Sequence, residues 1–447
     1  MKNSIKLFSL IAILATSLTT VSCNKDASTE AMATHTITDV ASSNPDFSSL
    51  VLALKKTGLD AVLMNSASNF TVFAPTNAAF ASLLTELKVS SLNDIPAETL
   101  KKVLLYHVKS GKALSSQITT GYYSTMANGP EANSYLSMYV DMASTQINGR
   151  SKITKTDILA DNGVIHVIDK VLLPMTIADN AIANPVFSSL VTAASKANLV
   201  GALSDNSKIY TVFAPTNAAF SALLASLGVT LNDLSADALA PILLYHVLNG
   251  YVPASKVAEG YFPTLSTAFG KNMVLKVATT GGVLLNNGSK VIATDIVATN
   301  GIIHVIDKVL LPPTVVDLAQ QNSMFSTLVL AVVKADLAKT LSGAGAFTVF
   351  APTNDAFAAL FTALKVSGVD ALTKEQLTPI LLAHVVSGNV QSGSLLSGGV
   401  TTLNTLKSLS ILVNSNGVTI NGNINVVKAD IQGKNGVVHV IDKVIVP

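Results

Sequence analysis

A ten-residue segment of this chain, Thr-Val-Phe-Ala-Pro-Thr-Asn-Ala-Ala-Phe, occurs twice unchanged and once with a single substitution. The three copies lie at residues 71–80, 211–220 and 348–357. A second block, first seen as Val-Ile-His-Val-Ile-Asp-Lys-Val-Leu-Leu-Pro, follows the same spacing at residues 164–174, 302–312 and 437–447. Successive copies of the first segment are 140 and 137 residues apart. Self-similarity at this period indicates three copies of one domain-sized module.

The repeats also suggest domain limits. Each second block ends in a proline, and the helical pattern of the next module begins within a few residues of it. We expect modules at residues 36–174, 175–312 and 313–447, joined by short connections into a semi-rigid rod. Residues 1–22 are predicted to be an export signal, and residues 23–35 a flexible polar tether.

The N-terminal segment has the features of a bacterial export signal. Lys2 and Lys6 form a basic start, and the apolar run at 7–18 is too short to span a bilayer as a mature helix. Cys23, the only cysteine of the chain, follows this run. The arrangement resembles the lipobox of bacterial lipoproteins, which implies cleavage before Cys23 and lipid attachment to it. We expect an outer-membrane lipoprotein of the bacterial cell envelope, facing inward or exposed at the surface; a soluble secreted protein is the alternative.

Charge and cysteine content exclude several classes of function. The formal net charge is +2, and the predicted signal carries two lysines and no acid, which leaves the mature chain neutral. A neutral chain lacks the basic surface that binds nucleic acid, so no nucleic-acid partner is expected. A single cysteine permits neither an internal disulfide nor a cysteine metal cluster.

The first half of each module has helical patterns around one short strand. Apolar residues recur at helical spacing over 37–54, which predicts one or two short helices. The β-branched and aromatic run at 71–74 predicts a strand that ends at Pro75, after which Thr76 and Asn77 can cap a helix.

A further helix is predicted from one apolar stripe. Its residues follow the spacing i, i+3, i+4, i+7 and i+8, and they are Leu100, Val103, Leu104, His107 and Val108. The same stripe recurs around His246 and His384 in the other modules. Glycines just beyond it are predicted to end each helix in a left-handed conformation; they are Gly111, Gly250 and Gly388.

The second half of each module has hairpin signals. Asn-Gly pairs recur at two equivalent places in each copy, at 148–149 and 162–163, 287–288 and 300–301, and 421–422 and 435–436. Asn-Gly between apolar runs favours a type I′ turn, so we expect three antiparallel strands ending in the His-Val-Ile-Asp strand. That last strand is apolar on both faces and is predicted to be central. The fold class is therefore α+β, with helices first and a C-terminal antiparallel β-meander or wedge in each module.

These motifs resemble those of the fasciclin domain family. The first family motif matches the ten-residue segment, and the tyrosine–histidine motif matches the pairs at 106–107 and 245–246. The second conserved block matches residues 162–174, 300–312 and 435–447. The resemblance recurs three times in register over nearly the whole predicted mature chain. It implies a compact α+β fold with a helical side and a β-wedge, and extracellular roles in adhesion between cells or between cell and matrix.

The resemblance also supplies candidate partner-binding residues. In animal members, the tyrosine–histidine pair and an Asp-Ile pair near the second block are implicated in integrin contact. The matching residues here are Tyr106, His107, Tyr245, His246, His384, Asp157, Ile158, Asp295, Ile296, Asp430 and Ile431. The third module departs from the pattern, because Ala383 stands where the tyrosine would be.

The paired histidines suggest catalysis or metal binding less strongly than scaffolding. His107 and its counterparts lie on the apolar stripe, where we expect hydrogen-bonded core histidines. The adjacent tyrosine lies more than about 90° from the stripe's centre, so we expect it to flank the core, in a position that can expose its hydroxyl. His166 and Asp169 are three residues apart on a strand, which points them to opposite faces and disfavours a direct dyad. Two histidines per module also fall short of a zinc ligand set, so no metal or other cofactor is expected.

Three functions remain from the sequence. The favoured one is a lipid-anchored, non-enzymatic adhesion protein that binds an extracellular protein or polysaccharide. The alternative is a lipoprotein that captures glycans or small ligands, for which the candidate exposed aromatics are Tyr122, Tyr123, Tyr135, Tyr139, Tyr261 and Phe262. The third, a hydrolase that uses the paired histidines, has no nucleophile elbow or phosphate-binding loop to support it.

Overall fold

The computed structural model describes residues 35–404, 408–415 and 417–447. The predicted signal and Cys23 lie outside the described residues, as does the predicted tether apart from His35. Helices and strands follow the same order in every module. In the first they are α1 (Ile37–Ser43), α2 (Ser48–Thr57), α3 (Leu59–Leu63), β1 (Phe70–Pro75), α4 (Asn77–Leu87), α5 (Ala97–Tyr106), β2 (Val108–Ser110), β3 (Gly121–Asn128), β4 (Tyr135–Asp141), β5 (Gln146–Ile147), β6 (Ser151–Ala160) and β7 (Gly163–Ile168).

The second and third modules repeat this order. The second has α6 (Ile177–Ala183), α7 (Ser188–Lys196), α8 (Val200–Leu203), β8 (Tyr210–Pro215), α9 (Asn217–Leu227), α10 (Ala236–Leu244), β9 (Val247–Asn249), β10 (Gly260–Ala268), β11 (Lys271–Ala278), β12 (Leu284–Leu285), β13 (Ser289–Ala298) and β14 (Gly301–Ile306). The third has α11 (Val315–Gln320), α12 (Ser326–Lys334), α13 (Ala338–Ser342), β15 (Phe347–Pro352), α14 (Asn354–Leu364), α15 (Lys374–Leu382), β16 (Val385–Ser387), β17 (Gly398–Thr401), β18 (Ser408–Asn414), β19 (Gly417–Ile420), β20 (Ile424–Gly433) and β21 (Gly436–Ile441).

Side-chain caps start the helices as the sequence predicts. Thr36 and Asp39 form a capping box at α1, in which each satisfies a backbone N–H of the other. Thr76 accepts from the N–H of Ala79 and starts α4 directly after the strand that ends at Pro75. The predicted unit of strand, proline, cap and helix is therefore confirmed, and it recurs at α9 and α14.

The sheet contains more strands than the predicted meander. Its order in the first module is β2-β1-β7-β6-β5-β4-β3, so the antiparallel meander has five strands rather than three. β7 lies between β6 and β1, is buried along its whole length and pairs in parallel with β1, which places His166 opposite Phe73. Its central position was predicted; the parallel partner was not. The second module closes the same sequence of strands into a barrel.

One predicted helix end is wrong. α5 ends at Tyr106, and Val108 lies in β2, where it pairs with Val72 of β1. Gly111 has a positive φ of 84°, but it follows the short strand rather than the helix. Pairing with β1 replaces the last predicted helical turn, because the sheet satisfies these backbone groups while keeping Val108 buried.

The first of the two predicted Asn-Gly turns forms in each module, but in the second module it lies one residue earlier than predicted. Asn148 and Gly149 have φ values of 54° and 62°, as a type I′ turn requires. In the second module the two residues with positive φ are Asn286 and Asn287, one position before the predicted pair. Asparagine tolerates the left-handed region, so a glycine is not needed there.

The second Asn-Gly pair does not form a type I′ turn. Asn162 is buried, and its side chain accepts from the N–H of Ile37 at 2.8 Å and donates to the carbonyl of Leu63 at 2.7 Å. Gly163 begins β7, where a Cβ atom would lie 2.1 Å from the carbonyl oxygen of Phe70. The pair therefore joins α1 and α3 to the sheet, and close backbone approach explains the glycine.

Two clusters of buried side chains hold the first module together. One lies between the helices and β1 and β7, and it includes Phe47, Phe80 and Leu104. The other lies between the end of α5 and the wedge strands, and it includes Tyr106 and Met138. The Tyr-His pair lies where the two meet. None of the helices in the described residues is both long enough and apolar enough to span a bilayer.

Candidate functional site

The tyrosine of the Tyr-His pair connects the end of α5 to the wedge. Tyr106 is 0% exposed, and its hydroxyl donates to the carbonyl of Ser137 in β4 at 2.7 Å. The same hydroxyl accepts from Nδ2 of Asn148 at 3.1 Å. Burial raises the pKa of Tyr106 well above its usual range. The prediction of an exposed hydroxyl is wrong, because β4 covers the flank of the helix that periodicity left free.

The second module repeats this arrangement and the third lacks it. Tyr245 donates to the carbonyl of Val274 at 2.7 Å and accepts from Asn286 at 3.0 Å. In the third module Ala383 is buried at this position and has no hydroxyl to offer. In the first two modules a tyrosine hydroxyl therefore joins the end of the helix to a strand of the meander, and the third module lacks this hydrogen bond.

The histidine of the pair is a neutral core residue. Nδ1 of His107 lies 2.7 Å from the carbonyl oxygen of Val103, and Nε2 accepts from the N–H of Leu172 at 2.8 Å. Because a carbonyl can only accept, Nδ1 carries the proton and both nitrogens are used. Burial lowers the pKa of His107 to about 4. His246 and His384 have the same contacts and the same shift, so the predicted scaffolding role is confirmed.

The second histidine of each module supports a β-bulge in β6 and its counterparts. Nε2 of His166 lies 3.0 Å from the carbonyl oxygen of Ala113, and Nδ1 accepts from the N–H of Asp157 at 3.3 Å. Asp157 has a φ of 61° at a register shift of β6. Its carboxylate accepts from both the N–H and the hydroxyl of Ser115, and these bonds lower its pKa. The carboxylate thus caps the 3₁₀ turn Ser115–Gln117.

The backbone contact recurs at Asp295 and Asp430, and the hydroxyl contact recurs only at Asp430, because Ala254 stands where the first and third modules have serine. Oδ1 of Asp295 accepts from the N–H of Ala254 at 2.9 Å, and Oδ1 of Asp430 accepts from the N–H of Ser392 at 2.7 Å. Nδ1 of His439 lies 4.0 Å from a carboxylate oxygen of Asp430, but the nearer Asp430 N–H donates to it, so the contact is not an ion pair.

The sequence-predicted partner residues therefore divide by exposure. Both tyrosines and all three Tyr-His-type histidines are buried, as are Ile296 and Ile431, while Ile158 is half-buried. Asp295 is exposed and the other two aspartates are half-buried. His166 meets the backbone of Asp157 and not Asp169, whose carboxylate accepts from the N–H of Lys152. Within the described residues, no group of three or more His, Cys, Asp or Glu side chains is placed to hold a metal ion.

Several aromatic candidates lie at the junctions between modules. The hydroxyl of Tyr122 donates to the carbonyl of Asn180 in α6 at 3.0 Å, across the first junction. At the same junction the N–H of Val297 donates to Oγ of Ser137 at 2.9 Å, and Val297 is only 6% exposed. Tyr139 packs on the ring of Tyr122, with ring centroids 5.1 Å apart. The best candidates for exposed aromatics are thus partly buried, and some of them join modules.

The second junction uses equivalent positions. Tyr261 follows Gly260 as Tyr122 follows Gly121, and its hydroxyl accepts from Nδ2 of Asn322 at 3.2 Å. The ammonium group of Lys428 lies 4.6 Å from the centroid of the Tyr261 ring. The recurrence of glycine–tyrosine in the first two modules is a sequence signal for these junctions that our sequence analysis did not use.

The first junction also contains a polar cleft of about 590 Å³. One wall is the loop at 129–134, and Nζ of Lys256 lies 2.8 Å from a carboxylate oxygen of Glu131. Tyr135 is 45% exposed in this cleft, with the half-buried Tyr251 and exposed Asp295 also in its lining. The corresponding loop between β10 and β11 is only two residues long, so the second module contributes no such wall to the second junction.

Comparison with known proteins identifies a matching domain family and several related proteins. The fasciclin domain family model matches residues 45–174, 185–312 and 323–447. Transforming growth factor-beta-induced protein ig-h3 of Sus scrofa is 32% identical over 424 residues, which cover 93% of this chain and 58% of that protein. Periostin of Homo sapiens is 30% identical over 394 residues, which cover 85% of this chain and 43% of that protein. Cell surface glycolipoprotein MPB83 of Mycobacterium bovis is 37% identical over 144 residues, which cover 31% of this chain and 60% of that protein.

A solved structure adds a more distant similarity. The FAS1 domain pair of the insect cell adhesion molecule fasciclin I is 20% identical and covers 58% of this chain and 95% of that chain, with a TM-score of 0.36. The present chain spans little more than half the length of ig-h3 and less than half of periostin. The three family matches fall on the three folded modules described above. This chain therefore belongs to the fasciclin domain family.

Proposed function

We propose that this chain is a non-enzymatic adhesion or interaction protein of a bacterial cell envelope. In this proposal lipidated Cys23 anchors it in the outer membrane, and the fasciclin modules bind an extracellular protein or polysaccharide. One relative, MPB83, is named as a cell surface glycolipoprotein. The signal-like sequence that ends at Cys23 supports the anchor.

The hydrogen bonds of the repeated histidines support the non-enzymatic part of the proposal. In His107, His246 and His384 both ring nitrogens are hydrogen-bonded to backbone groups inside the core. A general base needs a nitrogen within reach of substrate. Side chains in this arrangement instead hold the helices against the sheet, which leaves the surfaces of the modules for binding.

Within this proposal the aspartates are the surface members of the candidate partner-binding set. Asp295 is exposed beside the cleft and Asp157 and Asp430 are half-buried, and each of the three carboxylates also accepts from a backbone N–H. Tyr106, His107 and their counterparts would then support the binding surface from below. Buried residues of this kind affect binding through the shape of the wedge rather than by contact.

Attachment assays test the proposal. Deleting each module singly should reduce attachment of cells to surfaces, matrix or sister cells. Asp295→Asn removes the charge but keeps the acceptor for the Ala254 N–H and tolerates the positive φ, so it should reduce attachment with normal folding. Asp237→Asn, at an exposed carboxylate in the same module, is the matched control and should attach normally. Unchanged attachment in all three deletions would contradict the adhesive function.

A second candidate function, glycan capture, is favoured by the cleft at the first junction. Sugars bind to exposed aromatic faces flanked by hydrogen-bonding groups, and the cleft combines Tyr135 with the carboxylates of Glu131 and Asp295. A glycan array with the 24–447 fragment tests this function. Tyr135→Ala should abolish specific sugar binding, whereas Phe269→Ala, an exposed aromatic outside the cleft, should not. Absence of any specific signal would remove this candidate.

A further inference from the structure

One core position differs in size among the three modules. Each long N-terminal helix follows a buried phenylalanine, and the residue seven positions after it points into the core. These residues are Leu54 in α2, Ala194 in α7 and Val332 in α12. All three are buried, so the module with alanine lacks the volume that leucine fills in the first module.

The missing volume appears as an apolar cavity in the second module. It measures about 70 Å³ and lies between α6, α7 and α8 and strand β8. A smaller cavity of about 40 Å³ occupies the same place in the third module, where the residue is Val332. The cavities thus become larger as the side chain becomes shorter. The lining of the larger one includes Ile177, Phe187, Leu190, Val212 and Ile303.

The second module is also more open around this cavity. Leu50, Leu59 and Leu63 are buried in the first module, but their counterparts Leu190, Leu199 and Leu203 are half-exposed. The helix-side core of the first module is one continuous cluster, whereas that of the second is divided into two. The cavity therefore separates the helical layer from the sheet and opens to the surface, where Ile182 is 58% exposed.

We propose that the second module binds a hydrocarbon chain in this cavity. No charged side chain lines it, and the imidazole of His246 already uses both nitrogens, so the lining is apolar apart from the hydroxyl of Tyr210. An apolar ligand is the one that loses nothing on entering such a site. The volume of about 70 Å³ admits only the end of a narrow alkyl chain and excludes a fused ring system, and the opening beside the exposed Ile182 lets the rest of the molecule remain outside.

Methyl NMR of the full chain with decanoate as the probe tests this site. We expect saturable shifts of the δ1 methyl groups of Ile177 and Ile303, while their first-module counterparts Ile37 and Ile165 do not move. Ala194→Leu restores the side chain of the first module, and we expect it to raise the dissociation constant at least tenfold and to raise the melting temperature without ligand.

Two further variants provide the control in the opposite direction. Leu54→Ala should create a second site and transfer the shifts to Ile37 and Ile165. If that variant does not fold, Val332→Ala, which enlarges the cavity of the third module, should produce new shifts at Val315. An unchanged spectrum with decanoate, or equal affinity in Ala194→Leu, would overturn the proposal, and the cavity would then be a packing void only.

Discussion

Acid should destabilise each module through the histidine at the end of its fifth helix. Burial lowers the pKa of His107, His246 and His384 to about 4, from an ordinary value of 6.5. Each of these bases is harder to protonate when folded, so the unfolded chain binds more protons between those values. The stabilising contribution is therefore complete above pH 6.5 and is lost as the pH falls from 6.5 towards 4.

The size of the effect follows from the two pKa values. Each of these histidines has a pKa of 6.5 in the unfolded chain and about 4 in the folded module. At pH 4.5 this difference lowers the free energy of unfolding by about 2.5 kcal/mol per histidine. The ordinary pKa values of carboxyl groups lie below this pH, so the histidines, whose ordinary pKa lies well above it, contribute most of the change. Burial also lowers the pKa of His304 and His439, which adds to the loss in the second and third modules.

Urea unfolding followed by circular dichroism at pH 7.0 and 4.5 measures this loss. His107→Gln keeps a neutral donor and acceptor but removes the imidazole that titrates. We expect the first module of this variant to be less stable than that of the parent chain at pH 7.0. On acidification to pH 4.5, its free energy of unfolding should fall by about 2.5 kcal/mol less than that of the parent chain. Thr71→Val is the matched control, because it removes buried hydrogen bonds of the first module without removing a titratable group, and its pH dependence should equal that of the parent chain. Equal losses in His107→Gln and the parent chain would refute the buried, neutral imidazole.

Three other substitutions test the scaffold and the first junction. Tyr106→Phe leaves the carbonyl of Ser137 without its buried donor, and we expect a loss of about 1–3 kcal/mol in urea unfolding. Asn162→Ala removes hydrogen bonds that join two helices to the sheet, and a loss of about 2–4 kcal/mol is expected in the same assay. Val297→Asp places a carboxylate in the buried first junction, so small-angle scattering should show a wider range of separations between modules. Leu159→Asp is the control, because Leu159 occupies the equivalent position of the first module and is 60% exposed; we expect it to leave the range of separations unchanged.

Local sequence patterns predicted much of the module. Thr76 and the proline before it specify the end of β1 and the start of α4 through chain neighbours alone. The apolar stripe around Leu104 and His107 placed both side chains in the core, because helical periodicity decides which face is buried. Positive φ at Asn148 and Gly149 likewise depends on two adjacent residues.

The errors came from contacts between distant segments. The Tyr106 hydroxyl is buried by Ser137, 31 residues later, and no local pattern reports that contact. Val108 leaves the helix because β1, more than 30 residues earlier, offers it a strand partner. The first junction depends on Val297 meeting Ser137, which is 160 residues away. A repeated motif does not indicate which distant segments meet, because that depends on the three-dimensional path of the chain.

In the proposed function the modules lie outside the cell and are held there by lipid on Cys23. Protease treatment of intact cells, followed by immunoblotting for the 36–447 region, measures this most directly, with a periplasmic protein as the control for intact outer membranes. We predict that the modules are degraded in intact cells and that Cys23→Ser releases them from the envelope. Modules that stay protected until the outer membrane is permeabilised would contradict the claim.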